Sequence, residues 1–321
     1  MPRYIATGFL ACAAPDLDIV ASFAGPVAYL MNHRGVTHSL VLLPLWAVGV
    51  AWLLAKLVRE LAGWRALYGL CAAAIGLHIA GDAITSYGTM VFAPLSDWRA
   101  AIGTTFIIDL WFTGIIVAGL VASAIAHRSR LPAIATLAVL CGYVGLQFVQ
   151  RQHALEFARQ YADRHDLTAA RVDAQPRPVS PFNWTVFVSD EERHHFAHIN
   201  LVRREPRRYQ PGDGFIARVD SPYLPLDQAI WLARSRYGEV DQATGRDAWK
   251  SPALSFFRWF AAEPAYDGAT EGGRCVWFVD LRFLTPGREL TPFQYGVCRD
   301  SPQAPWRAYE RAGAGAKILL R

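Results

Sequence analysis

Four apolar runs in the first half of the chain are each about as long as a helix that crosses a lipid bilayer. They cover residues 38–58, 64–84, 104–126 and 131–149. A spanning helix needs roughly 20 apolar residues, and because the hydrocarbon core contains no water, every backbone group must bond within the segment. The sequence therefore predicts four membrane helices before residue 150.

A further apolar run, from Tyr4 to Ala14, covers only eleven residues before Pro15 and Asp16. This length falls short of the roughly 20 residues of a span, and without a following small-residue cleavage site the run is unlike a signal peptide. We expect a short or half-inserted helix here, or the remnant of a longer one. With this helix included, the first half of the chain is expected to form an α-helical polytopic membrane domain of about five membrane helices.

Charged residues are distributed unevenly between the two halves of the chain. Residues 1–149 contain six acidic and eight basic residues, whereas residues 150–321 contain 21 acidic and 24 basic residues. This difference predicts a membrane domain at 1–149 joined to a soluble domain at 150–321. The net charges of +2 and +3 are too small to indicate a nucleic-acid partner.

The second half has the sequence texture of a small α+β domain. Residues 150–166 place apolar side chains at helical spacing, which predicts an amphipathic helix that leaves the membrane. Beyond Pro176, short apolar runs are separated by Pro and Gly, a pattern typical of β-strands. We expect strands at Trp184–Val188, Phe196–Val202 and Cys275–Val279, and helices at 227–237 and 253–262.

The basic residues near the predicted helix ends indicate an orientation. With the N-terminus inside, six of these residues lie on the inner side and three on the outer side. Such an excess favours a cytoplasmic N-terminus. After five crossings, the soluble domain would lie on the outer side, together with the motifs described next.

Histidine and aspartate residues stand at the ends of consecutive predicted helices. His78 and Asp82 are four residues apart, so both lie on one helix face and can bind one ion or two adjacent ions. His33 and His38 stand at the start of the preceding predicted helix, at residues 38–58. Ionisable groups at membrane depth cost roughly 2.5 to 3.5 kcal/mol each on insertion, so they indicate function. A helix cap, or a histidine bonded to a carbonyl, is the alternative for each one.

Three further acidic residues are candidates for the same site. Asp16 and Asp18 project to one side if their segment is extended, and carboxylates complement imidazoles around zinc or manganese. Pro15–Asp16 is also an ordinary turn or helix start. Asp109 is either a further ligand, a partner that orients a histidine, or an ion-pair partner of Arg99. We expect a divalent metal, zinc first and manganese as the alternative, as one ion or several.

Two other groups of reactive residues lie in the soluble half. His194, His195 and His198 follow two glutamates, and we expect a solvated turn there, because the alternation of a strand suits a metal site poorly. Cys275 and Cys298 lie in two strand-like segments. They are expected to form a disulfide if the compartment is oxidising, and to remain buried thiols otherwise.

The motifs of the first half carry a resemblance to a known family. They are PDLD (15–18), HRGVTHSL (33–40), HIAGDAITSYGT (78–89), APLSDWR (93–99) and FIID (106–109). In content and order they resemble the YdjM-type family of bacterial membrane-bound metal-dependent hydrolases. The soluble half resembles an extension that some members carry. Members usually begin with a further helix bearing Thr-His or Thr-Gln, so either that helix or one ligand is expected to be missing here.

The HxxGD motif at residues 78–82 is also distantly similar to zinc-dependent phospholipase C and P1-type nucleases, which cleave phosphodiesters. The two resemblances imply a membrane-bound metal-dependent hydrolase at the outer face of a bacterial inner membrane, with the soluble domain in the periplasm. Its expected substrate is a phosphoester or ester of a lipid or lipid-linked molecule. The expected catalytic residues are Asp82, His38 and Arg34, with Arg34 available to pair with an anionic substrate. The expected metal ligands are Asp16, Asp18, His33, His38, His78, Asp82 and Asp109.

Two other functional classes compete with the hydrolase. In one, a metal ties the helix ends of a non-catalytic membrane scaffold together, and the soluble domain binds a partner. In the other, the chain is a transporter, which fits less well because transporter acids lie near the midplane between broken helices.

Overall fold

The computed structural model describes residues 2–60, 63–210, 212–288, 291–311 and 316–320. These residues form two compact units, 2–103 and 104–320. The second unit contains the last two long helices together with the C-terminal sheets. The boundary expected at residue 149 concerns the end of the membrane domain, and it stays a prediction.

The first unit is helical. Its α-helices are α1 (Pro2–Ala13), α2 (Pro26–Asn32), α3 (Leu43–Leu57) and α4 (Arg65–Ala83). The second unit begins with α5 (Leu110–Ile125) and α6 (Leu131–Arg164). Helices α1, α3 and α4 pack closely through small residues, as membrane helices commonly do. The buried residues of this core are Ala11, Ala51, Leu54, Ala55, Leu67, Cys71 and Ala74.

The N-terminal helical segment is longer than the sequence predicted. The α-helix ends at Ala13, but the chain continues as a 3-10 helix from Ala14 to Ala24 instead of breaking at Pro15. Proline is tolerated there because its missing N–H falls in the first turn of the new helix. The segment Tyr4–Ala24 thus has 21 helical residues and sufficient hydropathy to cross a membrane.

The helix expected at 38–58 begins later, at Leu43. The backbone turns at Ser39, whose hydroxyl accepts hydrogen bonds from the N–H groups of Val41 and Leu42. A further short helix, α2, precedes the turn, and the segments Pro26–His38 and Leu43–Leu57 meet at an angle of 85°. His38 therefore lies at a bend between two helical segments instead of at the start of one.

The structure contains several candidate membrane helices among its described residues. Three are long and apolar enough to span, namely Tyr4–Ala24, Arg65–Ala83 and Leu131–Arg164, and the bent pair gives a fourth if it counts as one span. The run expected at 104–126 gives the shorter helix α5, which starts only at Leu110 because the Asp109 carboxylate caps it through the N–H groups of Trp111 and Phe112. A count of five stays a prediction.

Helix α6 joins two segments that the sequence suggested separately, the run at 131–149 and the amphipathic helix at 150–166. It is one helix of 34 residues, about 50 Å long at 1.5 Å per residue. Its second half packs Ala154, Leu155, Ala158 and Ala162 against the first β-sheet, around Trp184.

The C-terminal part contains two antiparallel sheets. The first has the order β1 (Arg171–Pro176), β2 (Asn183–Ser189), β3 (Arg193–Asn200) and β4 (Trp231–Ser235). The second has the order β5 (Pro264–Thr270), β6 (Cys275–Asp280), β7 (Gln294–Cys298), β8 (Arg307–Arg311) and β9 (Lys317–Leu319). Helix α7 (Phe215–Asp220) lies between β3 and β4, and α8 (Gln242–Lys250) and α9 (Ser255–Phe260) lie between the two sheets in sequence. The three expected strands and the helix expected at 253–262 are present.

Two predictions for this part were wrong. The helix expected at 227–237 is absent, and strand β4 lies in the middle of this range instead, because pairing with β3 outweighs a local helical pattern. The histidines expected in a solvated turn lie on β3, where His194 is fully buried. Its ring nitrogens meet the Ser189 hydroxyl at 2.9 Å and the Pro264 carbonyl at 2.6 Å, so burial leaves neither nitrogen unpaired.

The expected disulfide between Cys275 and Cys298 is present. These cysteines are directly opposed in register on β6 and β7, with Cα atoms 4.0 Å apart. The antiparallel pairing predicted for the two segments therefore brings the sulfurs together.

Candidate metal centre

Four residues from three separate elements of the first unit place their ligand atoms together. Asp16 comes from the 3-10 helix after α1, His38 ends the 3-10 turn Val36–His38, and His78 and Asp82 lie one turn apart on α4. Their ligand atoms all lie within 4.8 Å of one another. We call this set the metal cluster.

The distances within the metal cluster match the edges of a tetrahedron. His38 Nε2 lies 3.1 Å from His78 Nε2, 3.1 Å from Asp82 Oδ2 and 3.6 Å from Asp16 Oδ1. His78 Nε2 lies 3.4 Å from Asp16 Oδ1 and 3.6 Å from Asp82 Oδ2. Four atoms placed tetrahedrally at zinc bond lengths would be about 3.3 to 3.4 Å apart. Five of the six edges therefore have the spacing that one ion requires.

The metal cluster is enclosed on one side and open on the other. The side chains of His38, His78 and Asp82 are 0%, 14% and 15% exposed, whereas Asp16 is 58% exposed. A small molecule would therefore approach from the side of Asp16.

The donor set itself fits a divalent cation. Two imidazole nitrogens and two carboxylate oxygens are the ligands that zinc accepts in closed or catalytic sites, and they also suit manganese. Asp82 Oδ2 is buried and makes no well-directed hydrogen bond among the described residues. The residues present therefore fit the ion that the sequence predicted.

Asp18 and His33 lie beside the metal cluster, on the side where the Nδ1 atom of His38 faces away from it. The Asp18 carboxylate accepts from the backbone N–H of Arg34 at 2.8 Å and lies 3.0 Å from His33 Nδ1. It also approaches His38 Nδ1 at 3.5 Å, while the Thr37 hydroxyl lies 2.9 Å from the same nitrogen. These contacts direct the Nε2 atom of His38 into the cluster, as partners of metal-binding histidines typically do.

Arg34 is held in place by an unusual backbone. Its φ of 59° lies in the left-handed region, and the next residue, Gly35, is required because a Cβ there would lie 2.6 Å from the carbonyl oxygen of Asn32. This turn brings Arg34 Nη2 within 3.1 Å of Asp82 Oδ1 and Nη1 within 2.9 Å of the Thr85 hydroxyl. The guanidinium therefore fixes the second oxygen of Asp82.

Asp109 belongs to the second unit and has other partners there. Besides capping α5, its carboxylate accepts a hydrogen bond of 2.8 Å from the Tyr143 hydroxyl on α6. Arg99, suggested as its ion-pair partner, donates to the carbonyl of Tyr87 at 2.8 Å.

Sequence reasoning missed the residues that support the site. Tyr29 stacks on His33 at a centroid distance of 4.7 Å, and Tyr87 meets the edge of His33 at 5.5 Å. Arg34 lies 4.9 Å above the Tyr87 ring, a cation–π contact. Thr37 had a detectable signal, since it directly precedes His38, but the aromatic residues depend on tertiary packing.

Comparisons with known proteins find similarity in the half of the chain that contains the metal cluster. The family described as YdjM inner membrane protein matches residues 2–154. An uncharacterized protein of Bacillus subtilis (strain 168), YfhP, is 30% identical over 147 residues, which cover 46% of this chain and 44% of that protein. The chain thus matches less than half the length of that relative. No solved structure matches.

Residues 2–154 are therefore the part of the chain that resembles the YdjM family of inner membrane proteins, as its motifs predicted. The more distant similarity to zinc-dependent phospholipase C and P1-type nucleases is not shown.

Proposed function

We propose that this chain is a membrane-bound metal-dependent hydrolase. The observation that carries the proposal is the near-tetrahedral spacing of Asp16, His38, His78 and Asp82, which come from three separate segments. Zinc is the ion favoured by this donor set, with manganese as the alternative. A bound ion would lower the pKa of a water molecule and polarise a phosphoryl or acyl oxygen.

The protein residues around the metal cluster would orient the reactants. Asp82 presents Oδ2 to both imidazoles and Oδ1 to Arg34, so its carboxylate plane is fixed from both sides. Arg34 also places a permanent positive charge beside the cluster, where it can pair with phosphoryl oxygens. Asp18 and Thr37 hold His38 from its other nitrogen.

The substrate that we favour is a lipid or a lipid-linked phosphoester. Every residue of the metal cluster lies in a segment that is itself a candidate membrane span or part of the bent pair. Beside it, a cavity of about 240 Å³ is lined mostly by apolar side chains of the same segments, including Leu17, Val20, Trp46 and Ile75. Asp18 and Thr37 line this cavity and also contact His38, so a chain bound there would be anchored next to the metal.

We further propose that the metal cluster faces the outer side of the inner membrane and that the C-terminal domain is periplasmic. The disulfide between Cys275 and Cys298 supports this placement, because such bonds persist in oxidising compartments. The excess of basic residues on the opposite side supports it as well.

A scaffold is the second candidate function. Three chain segments meet at the metal cluster, and an ion would therefore cross-link them whether or not it catalyses a reaction. Metal binding without turnover of any substrate would favour this role.

The test begins with the full chain purified in detergent. Elemental analysis should find about one divalent ion per chain, or more if a second site exists, and phospholipids and lipid phosphates should then be assayed with and without a chelator. Chelator-sensitive hydrolysis supports the enzyme. The absence of bound metal in protein that is folded would contradict both candidate functions.

A further inference from the structure

A basic segment, residues 201–218, follows strand β3 in the second unit. It contains five arginines, Arg203, Arg204, Arg207, Arg208 and Arg218, and two acidic residues, Glu205 and Asp213. Apolar side chains stand among them with large exposed fractions, namely Val202 (57%), Tyr209 (44%), Phe215 (57%) and Ile216 (54%). Exposed apolar side chains grouped with cationic ones are typical of a surface that binds something.

The basic segment lies at the end of the first sheet that is nearest the apolar part of α6. Helix α6 passes along the sheet, and strand β1 runs back beside it, with Arg151 Nη2 bonded to Asp173 Oδ1 at 2.7 Å. The loop that follows β1 then reaches the start of α5, where Trp111 Nε1 donates to the carbonyl of Val179 at 3.0 Å. This loop therefore marks the end of the sheet that faces the two apolar helices.

The end of this loop contacts the start of the basic segment, and the first residue of β2 contacts Asp220, two positions after the segment's end. Leu201 N–H donates to the carbonyl of Phe182 at 3.0 Å, and the Asn183 side chain donates to Asp220 Oδ1 at 2.7 Å. Strand β3 ends here, so the start of the segment and the chain just beyond its end both lie at this end of the first sheet.

Four of the five arginines of the basic segment divide into two groups. Arg203 and Arg207 contact Asp220 Oδ2 at 2.7 and 2.9 Å and so anchor the segment to the domain. Arg204 and Arg208 are exposed, and neither has an ion-pair partner in the described part of the chain. Their charges are available to an anionic partner.

We propose that the basic segment binds the anionic headgroups of the bilayer that holds the chain's own helices. Arg204 and Arg208 would pair with lipid phosphates, while Phe215, Ile216 and Tyr209 would insert into the headgroup region. The proposal is independent of the metal cluster, because it concerns only residues of the second unit. It implies that lipid composition sets how firmly the C-terminal domain rests on the membrane.

Hydrogen exchange of the full chain in nanodiscs tests this proposal. One set of discs contains phosphatidylcholine alone, and the other contains a mixture with phosphatidylglycerol. An arginine near an anionic surface gains roughly fivefold in binding, so two should slow amide exchange in residues 202–216 by up to about 25-fold in the anionic discs. High salt should remove most of the difference, because it screens exposed charges.

Two double variants complete the test. Arg204→Ala with Arg208→Ala should abolish the lipid dependence and leave exchange in β2 and β6 unchanged. Lys250→Ala with Arg307→Ala removes two exposed positive charges elsewhere in the domain and should leave the dependence intact. Equal exchange in both lipids, or loss of the dependence in the control pair as well, overturns the proposal. Protection seen only in native membranes would assign the surface to a protein partner and overturn it too.

Discussion

The Nε2 atoms of His38 and His78 lie 3.1 Å apart, although 40 positions of sequence separate the two residues. Two imidazole nitrogens at this distance cannot both present bare lone pairs, because the lone pairs would repel each other. Carboxylate oxygens of Asp16 and Asp82 face the same two nitrogens. A divalent cation bound between them would satisfy all four atoms at once.

Removal of one histidine from the metal cluster should abolish metal binding. His78→Ala leaves three donors, one of them on the exposed Asp16 side chain, and we expect the bound metal to fall from about one ion per chain to near zero. Elemental analysis of the purified variant measures this. His127→Ala changes an exposed histidine in the second unit and should keep the metal. Full occupancy in His78→Ala would contradict the site.

Replacement of Asp18 should weaken metal binding without abolishing it. Asp18→Asn keeps the shape of the side chain but removes the charge that faces His38 Nδ1 and His33. Loss of a partner that orients a ligand typically costs about 10- to 100-fold in metal affinity. Competition with a chelator of known affinity measures the change. If Asp18→Asn behaved like Asp16→Asn, Asp18 would itself be a ligand.

Gly35 should tolerate no side chain. In Gly35→Ala the new Cβ would meet the carbonyl oxygen of Asn32 at 2.6 Å and the Met90 side chain at 3.1 Å. The turn that carries His33, Arg34 and His38 would have to shift, at a cost of about 1 to 3 kcal/mol. We expect a lower melting temperature and reduced metal content. Gly49→Ala is the matched control, because a Cβ at Gly49 meets nothing within 4 Å.

The C-terminal domain should lose stability as the pH falls below about 6.5, and His198 should account for part of this loss. Burial, and secondarily the charge of Arg177, lower the pKa of His198 to about 3. The unfolded chain then binds a proton that the folded chain rejects, so stability falls between about pH 6.5 and pH 3 and reaches a loss of about 2 kcal/mol at pH 5.

Thermal unfolding at pH 7.5 and pH 5 tests this contribution. His198→Gln should lose less stability between the two pH values than the parent chain, because glutamine cannot titrate. His153→Gln, which changes an exposed histidine on α6, should show the full loss. An identical loss in both variants would exclude His198 as the cause.

The disulfide should be detectable by counting thiols. The denatured, unreduced chain should show three free thiols, those of Cys12, Cys71 and Cys141. Reduction should raise the count to five and destabilise the domain by about 3 kcal/mol, because a closed loop of this length restricts the unfolded chain. Five thiols before reduction would contradict the bond and remove one support for the periplasmic placement.

The sequence predicted which residues come together better than it predicted which of them supply ligand atoms and which support the ligands. Spacing alone placed His78 and Asp82 on one helix face, and alternating helices brought Asp16 and His38 to the same end. Asp18 and His33 lie outside the cluster because His38 directs its Nε2 atom toward the cluster and its Nδ1 atom toward Asp18. That ring orientation is set by the Thr37 hydroxyl and the backbone at Arg34, neither of which has a periodic signal.

The errors in the fold arose where tertiary contacts outweigh local pattern. Trp231 to Ser235 has a helical pattern but pairs as an edge strand with β3. Pro15 resembles a helix terminator, yet it fits the first turn of a 3-10 helix. The two opposed cysteines, in contrast, were predictable, because their short strand-like segments are separated by only 23 positions.

Helix α6 continues without a break from its apolar first half to its second half, which packs against the first sheet. A straight helix advances about 100° per residue. One residue inserted near Gln150 would therefore turn the whole sheet by that angle about the helix axis, whereas seven inserted residues would nearly restore its facing. The rotational orientation of the first sheet about the axis of α6 is consequently set by the number of residues between the apolar run and the sheet-packing half of the helix.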